Sequence, residues 1–168
     1  VGVCEDKTPL CGMIYNPYSE LLYFAVRGEG AYRADAPSVS GFDHTRRLFI
    51  PDCPLSETLA VFGSDPYHKS HTADITLRGA RILLEHSLDI RRSGSAALDL
   101  AYVASGCYGI YFENCVSPWD YAAGRLIVTE AGGRLEDTSL VRVLLLDEDF
   151  SQRRCRRWRT QRLRCWRA

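Results

Sequence analysis

Short runs of hydrophobic residues, broken by turn sequences, dominate the first third of the chain. Asn16-Pro17 and Gly28-Glu29-Gly30 are typical turn sequences, and an apolar run lies on each side of them. This spacing predicts an antiparallel meander with residues 33–44 as a loop. The predicted strands cover residues 13–15, 21–26, 31–32 and 46–50.

Between residues 56 and 136 the pattern changes to strands that alternate with helices. Ala73, Leu77, Ala80 and Leu84 recur at helical spacing, and Ser117-Pro118 is a typical helix start. The predicted strands are 58–62, 88–92 and 108–113; the predicted helices are about 68–86, 93–104 and 118–131. Strands that alternate with helices after an antiparallel start indicate an α/β layered fold.

Composition is consistent with one domain that has a substantial core, since 46% of the 168 residues are hydrophobic. The net charge of zero hides an asymmetry, because residues 151–168 carry eight Arg and no acid. Residues 1–150 therefore hold 13 basic and all 21 acidic residues, a net charge of −8. An acidic body is typical of soluble domains and also suits a divalent cation. With no membrane-length apolar run and no signal-peptide pattern, we expect a cytoplasmic protein without a membrane partner.

The seven cysteines form no C-x-x-C pair and no zinc-binding spacing. This odd, scattered set predicts reduced thiols that mostly fill the core. The four histidines are also scattered, and we interpret them as surface or core residues without a catalytic role. We interpret Asp99 as structural.

Candidate chemistry centres on three features of the alternating region. Asp120 falls in the first turn of one predicted helix, Glu113 ends the strand before it, and residues 94–96 open the preceding helix. A carboxylate beside the unpaired N–H groups of a helix start suits a hard cation and a phosphate that share one site. Each feature also has an ordinary structural interpretation: a dipole-complementing Asp, a surface acid and a helix cap.

Taken together, these segments resemble the C-terminal half of the inositol monophosphatase family. The most specific stretch is Pro118-Trp119-Asp120-Tyr121-Ala122-Ala123-Gly124. It is followed by Glu130-Ala131-Gly132-Gly133, which begins ten residues after Asp120. The resemblance also includes residues 92–106 and Tyr111-Phe112-Glu113, and in the opening part residues 12–17, 20–23 and 28–32, and it extends over about residues 1–137.

The resemblance implies the family's fold of mixed sheets with helices, and Mg²⁺-dependent hydrolysis of an inositol phosphate or related sugar phosphate. Asp120 would be a metal ligand, and Glu113 would accept hydrogen bonds from substrate hydroxyls. Gly94, Ser95 and Ala96 would line the substrate and phosphate pocket. The expected partners are a small phosphorylated polyol and a second copy of the chain.

The chain departs from the family in two places. It has neither the D-P-[IL]-D-G-T motif, which supplies most of the family's metal ligands, nor the paired Glu-Glu; Asp65-Pro66 is followed by Tyr67-His68 and is interpreted as a turn. We therefore expect a fragment, with its other ligands on a segment before Val1. We expect it to be inactive alone, and we assign no catalytic residue.

The second departure is the segment 138–168, which is rich in Arg and Trp. Such a segment favours either of two interpretations: a shifted reading frame that yields a disordered tail, or a basic arm that binds single-stranded nucleic acid. We favour the first and expect no nucleic-acid partner. The alternative to a phosphatase fragment is therefore a non-catalytic remnant or a basic-tailed nucleic-acid-binding protein.

Overall fold

The computed structural model describes residues 1–35, 45–138 and 141–145, of which residues 136–138 and 141–145 are described by backbone alone. The first sheet is antiparallel throughout, in the strand order β1-β2-β3-β4-β5. Its strands are β1 (Gly2–Glu5), β2 (Thr8–Asn16), β3 (Leu21–Val26), β4 (Gly30–Asp35) and β5 (Arg46–Arg47). It contains the four predicted strands and is extended by β1 at one edge.

The second sheet is mixed, in the order β7-β6-β8-β10-β9. Its strands are β6 (Leu59–Phe62), β7 (Asp89–Arg91), β8 (Ile110–Glu113), β9 (Arg134–Thr138) and β10 (Val141–Leu145). Strands β7, β6 and β8 run parallel, and β10 runs antiparallel to both β8 and β9. The carboxyl ends of the three parallel strands therefore meet at one edge.

Helices connect the parallel strands and separate the two sheets. A short 3-10 helix (Leu55–Glu57) precedes β6, and the α-helices are α1 (Lys69–His86), α2 (Ala96–Ala104) and α3 (Pro118–Glu130). Helices α2 and α3 pack against each other and against the first sheet, while α1 packs on β6 and β7. The result is the α/β layered fold that the sequence predicts, with mixed sheets and helices.

Strand β8 contributes to two hydrophobic clusters because its side chains alternate between the faces of the sheet. Ile110 and Phe112 pack in the smaller cluster with Leu83 of α1. Tyr111 belongs to the main core, which joins α2, α3 and the first sheet. Glu113 is two residues beyond Tyr111 and lies on the same face, so it is buried on the side of α2 and α3.

Two glycines allow helix α3 to approach its neighbours closely. A Cβ added to Gly12 of β2 would lie 2.8 Å from the Cα of Ala123. A Cβ added to Gly124 of α3 would lie 2.5 Å from a methyl carbon of Leu100 on α2. Real Cβ atoms do not come this close, so α3 requires glycine at both contacts.

Three sequence-based expectations need correction. Helix α1 forms where predicted, but Leu77 and Leu84 are 64% and 52% exposed. The buried residues of α1 are instead Thr72, Thr76, Gly79, Ala80 and Leu83. At Gly79 the Phe112 ring of β8 leaves no room for a side chain, since an added Cβ would lie 2.3 Å from it. The described cysteines form no disulfide, yet none of them is core filler: two are exposed and three are half-buried. The predicted strand 46–50 is limited to two residues.

Strand β10 lies past residue 137, where the sequence places the end of the domain. Its backbone pairs with β8 through Arg142 and Val143 and with all five residues of β9. Residues 146–168, which include the Arg- and Trp-rich segment, are outside the described residues, so the proposed nature of that segment stays a prediction. No helix within the described ranges is both long and apolar enough to cross a bilayer.

Candidate active site

The candidate site lies at the carboxyl edge of the parallel strands. The loop after β6 leads into α1, the loop after β7 into α2, and the loop after β8 into α3. The chain goes from the central strand β6 to β7 on one side and then to β8 on the other. Ligands of open α/β sheets bind outside the carboxyl ends of strands where the order reverses in this way. Glu113 and residues 94–96 thus lie at one edge of the sheet, as does the start of α3.

Glu113 is a buried carboxylate at this edge, with 8% of its surface exposed. Its Oε1 accepts a 3.0 Å hydrogen bond from the backbone N–H of Asp65, and its Oε2 accepts one from the Tyr111 hydroxyl. The carboxyl group packs directly on Gly63, where an added Cβ would lie 2.0 Å from its carbon. Glycine at position 63 therefore makes room for the carboxylate.

Burial raises the pKa of Glu113, because an ionised carboxylate is poorly solvated there. The hydrogen bonds from Tyr111 and the Asp65 amide lower that pKa in part, and the charges of Asp65 and Asp120 raise it further. The pKa of Tyr111 is also raised, first by burial and then by the Glu113 charge. The Tyr111 hydroxyl thus stays protonated and can donate to Glu113.

Asp65 is a further candidate at this edge that the sequence interpretation missed, since Asp65-Pro66 was assigned only to a turn. Its backbone is in the left-handed region with φ +43°, a conformation that Asp tolerates better than most residues. The side chain is 3% exposed; Oδ1 pairs with Nδ1 of His68 at 2.8 Å, and Oδ2 is buried without a hydrogen-bond partner. An Asp at the end of a strand, beside a predicted turn, was the available signal.

The start of α2 presents residues 94–96 at the same edge. Gly94 has φ +91°, and an added Cβ would meet no atom within 4 Å. Ser95 is the N-cap, and its Oγ accepts a 3.4 Å hydrogen bond from the Leu98 N–H. Ala96 is the first helical residue and is half-buried. The open space at Gly94 leaves room for a ligand next to the helix start.

Asp120 lies in the first turn of α3 and is half-buried. Ser117 is the N-cap residue as predicted, but its side chain makes no capping hydrogen bond. The negative charge of Asp120 raises the pKa of both Glu113 and Tyr111. Asp120 is therefore close enough to the buried carboxylate for their charges to interact.

Side-chain oxygens that could bind a metal ion lie near this edge without a hydrogen-bond partner. Among the described residues, the buried side-chain nitrogen and oxygen atoms without a hydrogen bond are Oδ2 of Asp65, Oδ1 of Asp99 and Oδ1 of Asn114. The pKa of Asp99 is raised from 3.8 to about 6. Burial is the largest cause, a hydrogen bond with Ser93 lowers the pKa in part, and the Glu113 charge raises it. Carboxylate and amide oxygens are the ligands that Mg²⁺ prefers, so these oxygens are of the chemical type that binds a hard cation.

Comparison with known proteins identifies the family. The family model of the inositol monophosphatase family matches residues 1–162, which extends beyond the boundary at 137 that the sequence suggested. The chain is 38% identical over 138 residues to "Nus factor SuhB" of Xylella fastidiosa, covering 82% of this chain and 46% of that protein. It is 37% identical over 129 residues to "Inositol-1-monophosphatase" of Mesorhizobium japonicum, covering 76% of this chain and 44% of that protein.

The fold agrees with these relatives. The solved structure of inositol monophosphatase from Anabaena superposes with a TM-score of 0.72 at 33% identity, over 85% of this chain and 58% of that structure. The chain spans less than half the length of the two curated relatives. The match over nearly the whole chain is nevertheless decisive: the chain belongs to the inositol monophosphatase family.

Proposed function

We propose that this chain is part of a Mg²⁺-dependent phosphate monoester hydrolase that acts on an inositol phosphate or a related sugar phosphate. The observation that supports it best is the shared edge of the sheet, where the buried Glu113 at the end of β8, the start of α2 and Asp120 in the first turn of α3 all lie. The name of the Mesorhizobium relative gives the substrate class.

Each residue has a proposed role that follows from its chemistry. Asp120 holds Mg²⁺ through a carboxylate oxygen, and the ion would supply charge stabilisation and water activation at the phosphate. Glu113 accepts hydrogen bonds from substrate hydroxyls; both of its oxygens already accept one bond, and each has a second lone pair. Gly94, Ser95 and Ala96 line the pocket for the phosphorylated polyol, with backbone N–H groups toward the anion.

One Asp cannot form the site that the family uses, and the D-P-[IL]-D-G-T motif does not occur in this chain. We therefore propose that the remaining ligands belong to a segment other than these 168 residues and that the chain alone has little activity. A cytoplasmic location and a homodimer complete the proposal.

A chimera tests this proposal directly. The N-terminal part of the Mesorhizobium relative, which contains the residues before the matched region, is fused to this chain, and phosphate release from inositol 1-phosphate is measured with and without Mg²⁺. We expect turnover by the chimera that requires Mg²⁺, and none by the 168-residue chain. A folded chimera without turnover would contradict the proposal.

The name of the Xylella relative supports a second candidate function, a role as a Nus factor. The basic segment 151–168 makes binding to single-stranded RNA the feature to examine. Fluorescence anisotropy with a labelled RNA at low and high salt tests it. Salt-sensitive binding that is lost when residues 151–168 are deleted would support this candidate over the phosphatase fragment.

A further inference from the structure

A second group of ligand atoms lies beside Glu113, and it differs from the Asp120 carboxylate assigned to Mg²⁺ because it includes a thiol and an imidazole. Asp65, His68 and Cys115 each present one ligand atom, and these atoms all lie within 4.8 Å of one another. Asp65 and His68 come from the loop after β6, and Cys115 follows Glu113 in the loop after β8. The group thus bridges two loops of the candidate active site.

Asp65 itself points to a missing ligand. Its side chain is 97% buried, and Oδ1 is paired with His68 while Oδ2 has no partner. A buried carboxylate oxygen without a hydrogen bond is unfavourable, because it has lost its hydration and gained no partner in return. The hydrogen bond with His68 gives Oδ1 a partner and leaves Oδ2 without one. A bound cation would give Oδ2 a partner as well.

The ligand set selects the kind of cation. Mg²⁺ prefers oxygen ligands in octahedral geometry, whereas a thiolate and an imidazole favour Zn²⁺ and similar transition metals. Tetrahedral Zn²⁺ places its ligands about 3.5 Å apart, given bonds of about 2.0–2.3 Å. The ligand atoms, which lie within 4.8 Å of one another, can therefore move closer together when the ion binds. His68 can make this movement because its side chain is 63% exposed.

We propose that Asp65, His68 and Cys115 bind Zn²⁺ or a similar borderline-soft divalent metal ion, with a fourth position open to water. The ion joins the loop after β6 to the loop after β8. Because the Asp65 N–H donates to Glu113, the ion also fixes the position of that carboxylate. The site is independent of the proposed Mg²⁺ chemistry.

Cobalt is the probe for this site, because Co²⁺ replaces Zn²⁺ and its thiolate complexes absorb in the near ultraviolet. The reduced, metal-free 168-residue chain is titrated with Co²⁺, and its folding is monitored by circular dichroism. We expect a thiolate-to-cobalt band that saturates at one ion per chain, disappears on addition of Zn²⁺ and persists in excess Mg²⁺. A folded chain without the band, or with a band that Mg²⁺ removes, would overturn the proposal.

Variants then assign the ligands. Cys115→Ser should abolish the band, and His68→Gln should weaken Co²⁺ binding about tenfold or more. The matched controls are Cys107→Ser and His71→Gln, which change exposed residues outside the group. His68→Gln alters an exposed side chain and should leave the fold intact. Unchanged binding in His68→Gln, or a band that survives Cys115→Ser, would contradict the site. A band lost in Cys107→Ser would place the metal elsewhere.

Discussion

The backbone N–H of Asp65 donates a 3.0 Å hydrogen bond to Oε1 of Glu113, 48 residues further along the chain. This bond joins the loops after β6 and β8, and it gives a buried carboxylate one of its two partners. The other is the Tyr111 hydroxyl on the same strand. Glu113 is therefore held by the fold before any ligand arrives, which favours a recognition role over that of a mobile surface acid.

Asp120→Asn in the proposed chimera should lower Mg²⁺-dependent turnover by about a thousandfold or more, because an amide replaces a charged metal ligand. Phosphate release at saturating substrate and a Mg²⁺ titration measure the effect. Asp74→Asn, at an exposed position on α1, is the matched control. Unchanged turnover in Asp120→Asn would refute the metal assignment.

Glu113→Gln in the same chimera should change which phosphorylated polyol is preferred, since one acceptor oxygen becomes a donor. The ratio of kcat/KM for inositol 1-phosphate to that for other sugar phosphates is the measurement. Tyr111→Phe is the control, because it removes one partner of Glu113 and retains the carboxylate. The same substrate profile in Glu113→Gln and the parent would count against the role.

Gly63→Ala should destabilise the fold by about 1–3 kcal/mol, since the new Cβ overlaps the Glu113 carboxyl group. The contact is with a side chain, so the cost should fall in a Glu113→Ala background. Urea unfolding of the two single variants and the double variant gives the coupling energy. Additive losses would show that the overlap does not determine the effect.

Gly12→Ala should also destabilise the chain by about 1–3 kcal/mol, because its nearest contacts are backbone atoms of Ala123 that cannot rotate away. Gly2→Ala is the matched control against the same helix, where the nearest atoms are 3.3 Å from the added Cβ. Thermal unfolding of both variants makes the comparison. Equal losses of stability in the two variants would mean that β2 and α3 are farther apart at Gly12 than the structure shows.

Asp99→Asn should stabilise the chain more at pH 8 than at pH 4. The folded-state pKa of Asp99 is about 6, above its ordinary value of 3.8. As pH rises from about 4 to 6, the unfolded chain ionises first, so the free energy of unfolding falls. One pH unit of pKa difference corresponds to about 1.4 kcal/mol, so the loss is at most about 3 kcal/mol, and the neutral Asn avoids it.

Urea unfolding of the parent and of Asp99→Asn at pH 4, 6 and 8 measures this difference. Groups that do not interact with Asp99 titrate equally in both proteins and cancel in the comparison. Asp74→Asn again controls for the loss of one carboxylate at an exposed position. A difference that is constant across the three pH values would refute a raised pKa for Asp99.

Much of the fold could be predicted from the sequence because its signals are local. Ser95 caps α2, Gly106 ends that helix with φ +74°, and Pro118 begins α3. Each depends on backbone preferences of a few neighbouring residues, which do not need the rest of the chain. The buried face of α1 could not be predicted this way, because it depends on which residues the sheet can accommodate.

The same distinction between local signals and tertiary contacts applies to the candidate site. The sequence by itself determined the family segments and the identity of Asp120, Glu113 and residues 94–96 as candidates, since they are read from motifs and helix starts. Only the tertiary structure brought Asp65, His68 and Cys115 together and joined Asp65 to Glu113. Loops that are distant in sequence meet there because parallel strands end at a common edge, and that proximity depends on strand order, which no local pattern encodes.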